Sequence, residues 1–223
     1  FKLYTIMVIK KLYKFLNKLP KKLNLFYKNK YRSNLIIKNK SKSKKKFDPV
    51  TNFDKSFEKY IRSLILKKFP THSVIGEELR DKKSDNLYKW IIDPIDGTKV
   101  FILGGPTWSN LIGLSYNDVP CIGLANFPDL NCFYLNDQTK AYLYRVGKKY
   151  KLSSSQNKNL KNSKKICNFH GQLSLKKQNY IINKLGPSLR VVSFDALNYC
   201  LLAEGKLDVV IEANLKIYDI LPL

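Results

Sequence analysis

Acids are scarce in this chain. Among 223 residues, 17 Asp and Glu stand against 41 Lys and Arg, giving a net charge of +24. The imbalance is uneven: residues 1–50 carry 16 bases and a single acid, Asp48. A basic surface can serve nucleic acid or an anionic membrane. Here no aromatic-basic motif or recognition helix accompanies the charge, so no nucleic-acid partner is expected. Lys far outnumbers Arg, and Asn, Ile and Tyr are abundant, the bias that a very AT-rich coding sequence produces. The four cysteines (Cys121, Cys132, Cys167 and Cys200) form no CxxC pair and match no zinc spacing. They read as buried thiols of a cytoplasmic protein. No apolar run approaches the ~20 residues of a membrane span, and the opening FKLYTIMVI runs into lysines without a cleavage site. No internal repeat and no Ser or Cys nucleophile motif is present. His72 and His170 are isolated and receive no role.

The single methionine is Met7, while residue 1 is Phe. Translation is expected to start at Met7 or upstream. The C-terminal YDILPL breaks off as a new element begins, so the chain reads as incomplete.

Apolar spacing predicts a helix over 8–30, interrupted at Pro20. A polar basic loop covers 39–46. A second, amphipathic helix carries Phe53, Phe57, Tyr60, Ile61 and Leu64 on one face. VI before GEE reads as a short strand, and YKWII (88–92) as a buried strand. SNLIGLSY, CIGLANF, CFYL and AYLYRV are further strands. Then strands and helices alternate: strand KKICNF, helix LSLKKQNYIINKL, strand LRVVSF, helix DALNYCLLAEG closed by Gly205, strand LDVVIEA. The expected architecture is α/β, a layered αβαβα sandwich. It forms one domain over 1–223, with lobes at about 8–145 and 146–223.

Against this scarcity of acids, WIIDPIDGT (90–98) sets Asp93 and Asp96 at the end of an apolar strand. Ligands of open α/β sheets collect at strand C-termini. Gly97 and Thr98 open a short helix, whose free N–H groups favour phosphate. Two carboxylates there repel each other unless cations lie between them. Oxygen-only ligands select hard cations, chiefly Mg²⁺. A pair of such ions ~3.5–4 Å apart can stabilise phosphoryl transfer. The alternative is ordinary helix capping by both aspartates. Glu77 and Glu78 mark a second strand-to-turn junction, or else a solvated acidic turn. Asp219 ends EANLKIYD at the foot of a separate strand and turn, or caps a helix.

FDPVTNFD, VIGEE, WIIDPIDGTKVF and the YD at 218–219 together resemble the inositol monophosphatase superfamily of Mg²⁺-dependent, lithium-sensitive sugar phosphatases. The likeness runs from about residue 8 to the end. It implies two or three Mg²⁺ ions. Glu77, Asp93 and the Ile95 carbonyl would hold the first, and Asp93, Asp96 and Asp219 the second. Thr98 paired with Asp54 would activate water, and the amides of Gly97 and Thr98 would receive phosphate. Glu78 would support this set through hydrogen bonds. By itself Asp54 reads as the acid of a capping box begun by Thr51. The lysines from Lys10 to Lys46 would lie on the first helix and a loop near the active site, or form a solvated face.

Three features resemble the histidinol-phosphate phosphatase branch: Tyr218 in LKIYD, the segment GGPTWSNLIGL, and Asp195 in SFDALNY. An acid at 195 suits an ammonium-bearing substrate, and Glu212 matches a position contacting hydroxyls or an amine. Asp195 as a helix N-cap and Glu212 as a strand-end charge are the alternatives. Ser193 and Phe194 stand where the branch has two glycines, Asn110 where Thr is common, and the family's last strands and helix are missing after Leu223. The leading expectation is hydrolysis of L-histidinol phosphate. Inositol 1-phosphate, a sugar bisphosphate or a nucleotide 3′-phosphate keeps the same chemistry. A truncated, inactive basic binding paralogue is the reading of another class. The expected partner is a small phosphate monoester, with no membrane and a homodimer implied only by the family.

Overall fold

The computed structural model describes residues 2–30, 35–41, 49–168, 173–185 and 194–223. Helices α1 (Lys2–Leu16) and α2 (Leu19–Lys30) bury Leu12, Leu16, Leu19, Leu23 and Tyr27 at helical spacing. The helical run is interrupted by a turn at Asn17–Lys18, not at Pro20 as expected. Pro20 sits in the first turn of α2, where its missing N–H costs no hydrogen bond. Strands β1 (Ile37–Asn39) and β2 (Pro49–Thr51) pair antiparallel ahead of α3 (Asn52–Lys68). Lys42–Lys46 lie outside the described residues.

Helix α3 carries two adjacent buried rows. Phe53, Phe57, Ile61 and Ile65 form the apolar one, and Asp54, Glu58 and Arg62 run beside it. The apolar row packs on a seven-stranded sheet made of β3 (Ser73–Gly76), β4 (Tyr88–Asp96), β5 (Ser109–Tyr116), β6 (Val119–Phe127), β7 (Cys132–Asn136), β8 (Ala141–Arg145) and β9 (Lys148–Lys151), in that spatial order. Only β3 and β4 run parallel; the rest form an antiparallel meander. Strand β9, KKYK, is wholly exposed and carries no apolar alternation, which is why the sequence pattern passes over it.

The sheet is covered on both sides, so β5 reads as a near-continuous apolar run. Ile112, Leu114 and Leu124 face α1–α3, together with Trp90 and Trp108. Leu111, Ala125, Phe127, Tyr134 and Leu143 face the other way and pack on α6 (Ala196–Ala203). Between β4 and β5 lies the short α4 (Thr98–Ile102). A small parallel pair, β10 (Lys165–Asn168) with β11 (Val209–Glu212), flanks α5 (Leu175–Leu185) and α6 in sequence. The expected strand LRVVSF lies outside the described residues except for Phe194, which is not in a strand. His170 and Ser193 also lie outside them.

The last element, α7 (Ile217–Ile220), packs on β4 and β5. Its seat is made by two glycines facing each other across the β5–β6 ladder, Gly113 and Gly123. A Cβ on Gly123 would lie 1.9 Å from the Pro222 carbonyl oxygen, and one on Gly113 would lie 2.5 Å from Leu221. Side chains at this pair would expel the C-terminal segment.

The isolated His72 is a core residue. Its ring stacks between Phe69 and Tyr88, and its Nδ1 accepts a 3.0 Å hydrogen bond from the Trp90 indole N–H. Burial, with Lys82 and Lys11 adding repulsion, pushes its pKa down to about 4. The unfolded chain takes up this proton near pH 6.5 and the folded chain does not. The stabilising contribution is therefore complete above pH 6.5 and is lost as the pH falls toward 4. Thermal melts at pH 7 and pH 5 should show wild type losing roughly 1–2 kcal/mol relative to His72→Gln, which retains an acceptor for Trp90. Parallel pH profiles for the two proteins would refute this placement of the proton.

Candidate active site

The expected strand 88–92 is longer than its apolar core: β4 continues through both aspartates to Asp96. It does so by bulging. Asp93 pairs with Leu111 and Asp96 with Ser109, so Pro94 and Ile95 together face the single residue Asn110. The bulge brings both carboxylates to the same end of the sheet. Asp93 Oδ1 accepts the Ile95 N–H at 3.0 Å. Asp96 Oδ2 accepts the Ser109 hydroxyl at 3.3 Å and the Ala196 N–H at 2.9 Å. Asp96 thereby caps α6 from the end of β4, the role that was the alternative reading of Asp195. Asp195 itself makes no side-chain cap.

Asp219 is not at a strand end. It is the third residue of α7, and its Oδ2 accepts the Lys216 N–H at 2.6 Å. Even so, one carboxylate oxygen from each of Asp93, Asp96 and Asp219 lies within 4.8 Å of the others. Three like charges this close are unstable without a counter-charge; at an effective dielectric of 20 each pair costs about 3–4 kcal/mol. The carboxyls respond accordingly. Burial pushes Asp93 and Asp96 well above the usual carboxylate range, and neighbouring acids add to it: Glu77 first for Asp93, Asp195 first for Asp96. Asp219 is also raised by burial. An all-oxygen donor set under mutual repulsion fits a hard divalent cation such as Mg²⁺.

Asp54 serves two partners with its two oxygens. Oδ2 accepts the Thr51 N–H at 2.8 Å and contacts the Thr51 hydroxyl, completing the capping box of α3. Oδ1 lies 3.3 Å from the Thr98 hydroxyl, which is also 3.0 Å from the Ile95 carbonyl. The acid of the capping box is thus also a hydrogen-bond partner of Thr98. Burial raises its pKa.

Glu77 and Glu78 follow β3, and Lys40 lies across both. Its Nζ is 2.7 Å from Glu77 and also contacts Glu78. Burial opposes the lysine charge, but the two glutamates outweigh it and hold the ammonium above its ordinary value. Burial raises Glu77 against the pull of Lys40, and lifts Glu78 to about 7. Glu77 interacts with Asp93 but is not one of the three tightly clustered carboxylates. Of the other N-terminal lysines, Lys10, Lys14, Lys18 and Lys22 line a groove of about 870 Å³ between α1, α2 and α3, and none of the site carboxylates lines it.

Sequence reasoning missed the support beneath the glutamates. Glu58 is fully buried on α3 and its Oε1 takes the Arg62 Nε–H at 2.7 Å. Its Oε2 takes the Glu78 N–H at 2.7 Å, while Arg62 reaches the Leu79 carbonyl at 3.2 Å. The visible signal was a Glu–Arg pair four residues apart, one step from the apolar stripe. Gly97, at φ +77°, lies against Asp195: a Cβ there would sit 2.7 Å from Asp195 Oδ2. Glu212, at the end of β11, accepts the Tyr199 hydroxyl at 2.9 Å. Both Asp195 and Glu212 interact with Asp96.

A model of the inositol monophosphatase family matches residues 9–223. The chain is 32% identical over 181 residues to the fructose-1,6-bisphosphatase/inositol-1-monophosphatase of Aquifex aeolicus, covering 78% of this chain and 66% of that protein. It is 30% identical over 179 residues to the histidinol-phosphatase of Mycobacterium tuberculosis, covering 78% and 69%. The chain thus spans about two-thirds of the length of these curated relatives. Among solved structures, an IMPase/NADP phosphatase complexed with Mg²⁺ and phosphate matches with a TM-score of 0.73 at 19% identity, over 96% of this chain and 78% of that one. At that identity the likeness is one of fold.

Two outcomes are expected. In EDTA, Asp93→Asn should melt no lower than wild type, because the amide removes one repelling charge and still accepts the Ile95 N–H. Added Mg²⁺ should raise the melting temperature of wild type and not of the variant. A melting temperature that Mg²⁺ leaves unmoved in wild type would remove the cation from the site. Separately, Arg62→Met strands the buried Glu58 charge and should cost about 3–5 kcal/mol in denaturant unfolding. A loss below 1 kcal/mol would mean that the pair does not hold the Glu77–Glu78 turn.

Proposed function

Because the chain belongs to the inositol monophosphatase family, we propose that it is a divalent-cation-dependent hydrolase of a small phosphate monoester. The carrying observation is the cluster of Asp93, Asp96 and Asp219 beside the Thr98–Asp54 pair. These three carboxylates, with Glu77 and the Ile95 carbonyl, are the groups that would hold Mg²⁺. When bound, the cations would neutralise phosphoryl oxygens and stabilise charge on the leaving oxygen.

The protein's own groups do the rest. Asp54, fixed by its capping box, accepts a hydrogen bond from the Thr98 hydroxyl. The Thr98 oxygen can then accept a hydrogen bond from a water molecule and aim it at phosphorus. As the water oxygen attacks, its proton passes to Thr98 while the Thr98 proton passes to Asp54. The ester P–O bond breaks, and the alcohol leaves with a proton from solvent. The raised pKa of Asp54 suits a proton acceptor. Gly97 and Thr98 offer backbone amides to the phosphate, and Glu78 keeps Lys40 and the adjoining turn in place.

For the substrate, we favour L-histidinol phosphate. Asp195 lies at Gly97 without a side-chain cap on α6, and both Asp195 and Glu212 act electrostatically on Asp96. Two further acids that act on Asp96 favour an ammonium-bearing alcohol over a neutral polyol. Phosphate release should be measured on histidinol phosphate and inositol 1-phosphate side by side, with Mg²⁺ and with EDTA. We expect EDTA-sensitive turnover with at least a tenfold preference for histidinol phosphate in kcat/KM, falling toward unity in Asp195→Asn. Preference for inositol 1-phosphate would keep the chemistry and discard the amine-reading role of Asp195. Full activity in Asp93→Asn would sink the mechanism.

A further inference from the structure

The β4 bulge is held from outside by a relay of three asparagines. Asn110 on β5 donates from Nδ2 to the Pro94 carbonyl at 2.6 Å. Asn126, its cross-strand partner on β6, donates from Nδ2 to Asn110 Oδ1 at 2.9 Å and to Asn24 Oδ1 on α2 at 2.9 Å. Asn110 and Asn126 are fully buried. Chemistry fixes the direction of this relay. A proline carbonyl can only accept, so Asn110 must turn its NH₂ toward Pro94 and its oxygen toward Asn126. Asn126 must then present its NH₂, which leaves its own buried Oδ1 without a partner among the described residues. A buried polar atom left unpaired costs free energy. That cost is accepted where the other end of the amide is needed.

The Pro94 carbonyl and the Ile95 N–H belong to one peptide plane. Asn110 grips the oxygen of that plane; the N–H at its other end is given to Asp93 Oδ1 at 3.0 Å. Holding one edge of a rigid plane aims the other. We infer that Asn110, backed by Asn126 and Asn24, is a positioning residue that sets the orientation of the Asp93 carboxylate toward its cation. The inference rests on the cation-site reading above. It also gives a physical content to Asn at a position where the resembling family commonly has Thr, since both side chains carry a donor.

The test is Mn²⁺ binding followed by electron paramagnetic resonance, with no substrate present. Asn110→Val removes the donor, and Asn110→Thr keeps one in nearly the same volume. We expect Asn110→Val to weaken Mn²⁺ binding by about tenfold, as loss of a group that orients a metal ligand does. Asn110→Thr should stay within about threefold of wild type, and melting temperatures in EDTA should be similar for the two variants. Equal affinity in Asn110→Val and wild type overturns the relay and leaves the cation site standing. Equal weakening in both variants also overturns it, because volume and not the donor would then matter. Wild type that binds no Mn²⁺ overturns both readings together. Should Asn110→Val fail to fold, Asn24→Ala at the half-buried end of the relay should weaken binding at least twofold, and an unchanged affinity there overturns the inference.

Discussion

Mutual repulsion among buried carboxylates is the constraint on which the rest of this structure depends. Asp93, Asp96 and Asp219 are held within 4.8 Å by backbone that would relax if it were free. Each is therefore restrained by something other than its neighbours. Asp93 takes the Ile95 N–H, Asp96 takes the first amide of α6, and Asp219 takes the amide of Lys216. Hydrogen bonds from N–H groups favour the charged form and offset part of what burial and repulsion take away. The remaining imbalance is what a divalent cation would remove.

The same logic organises the surroundings. The two buried acids on α3 do not join the tight cluster: Asp54 is tied to Thr51, and Glu58 is neutralised by Arg62. Lys40 is the one cation lying across Glu77 and Glu78 among the described residues. In a chain with 41 basic residues, the site itself is served by few of them. The basic groove on α1, α2 and α3 is lined by other residues altogether.

Architecture supplies the rigidity. A sheet buried on both faces cannot flex without opening two cores, so the bulge at Pro94–Ile95 is carried on a stiff frame. The Gly113–Gly123 pair lets Leu221 and Pro222 lie directly on the ladder, which brings Asp219 over β4 from the far end of the chain. Helix α6 contributes its N-terminal amide from a different segment again.

Much was legible in the residues alone. The motif 90–98, the acid pair at 77–78 and the capping box at Thr51–Asp54 are local patterns, and local patterns survive without a tertiary context. So do the two faces of α3 and the strand runs of the meander, because hydrophobic period reports burial directly. What the sequence by itself determined, then, is most of the helices and apolar strands, and the grouping of acids at 77–78 and 93–96. Tertiary structure decided the partners. That Asp96 rather than Asp195 caps α6, that Asp219 sits in a helix and not at a strand end, that Glu58 and Arg62 brace the glutamates, and that Asn24, Asn126 and Asn110 reach the Pro94 carbonyl all depend on contacts between residues far apart in sequence. The physical reason is that a hydrogen bond has a range of about 3 Å in space and no signature in sequence spacing once the partners lie on different elements.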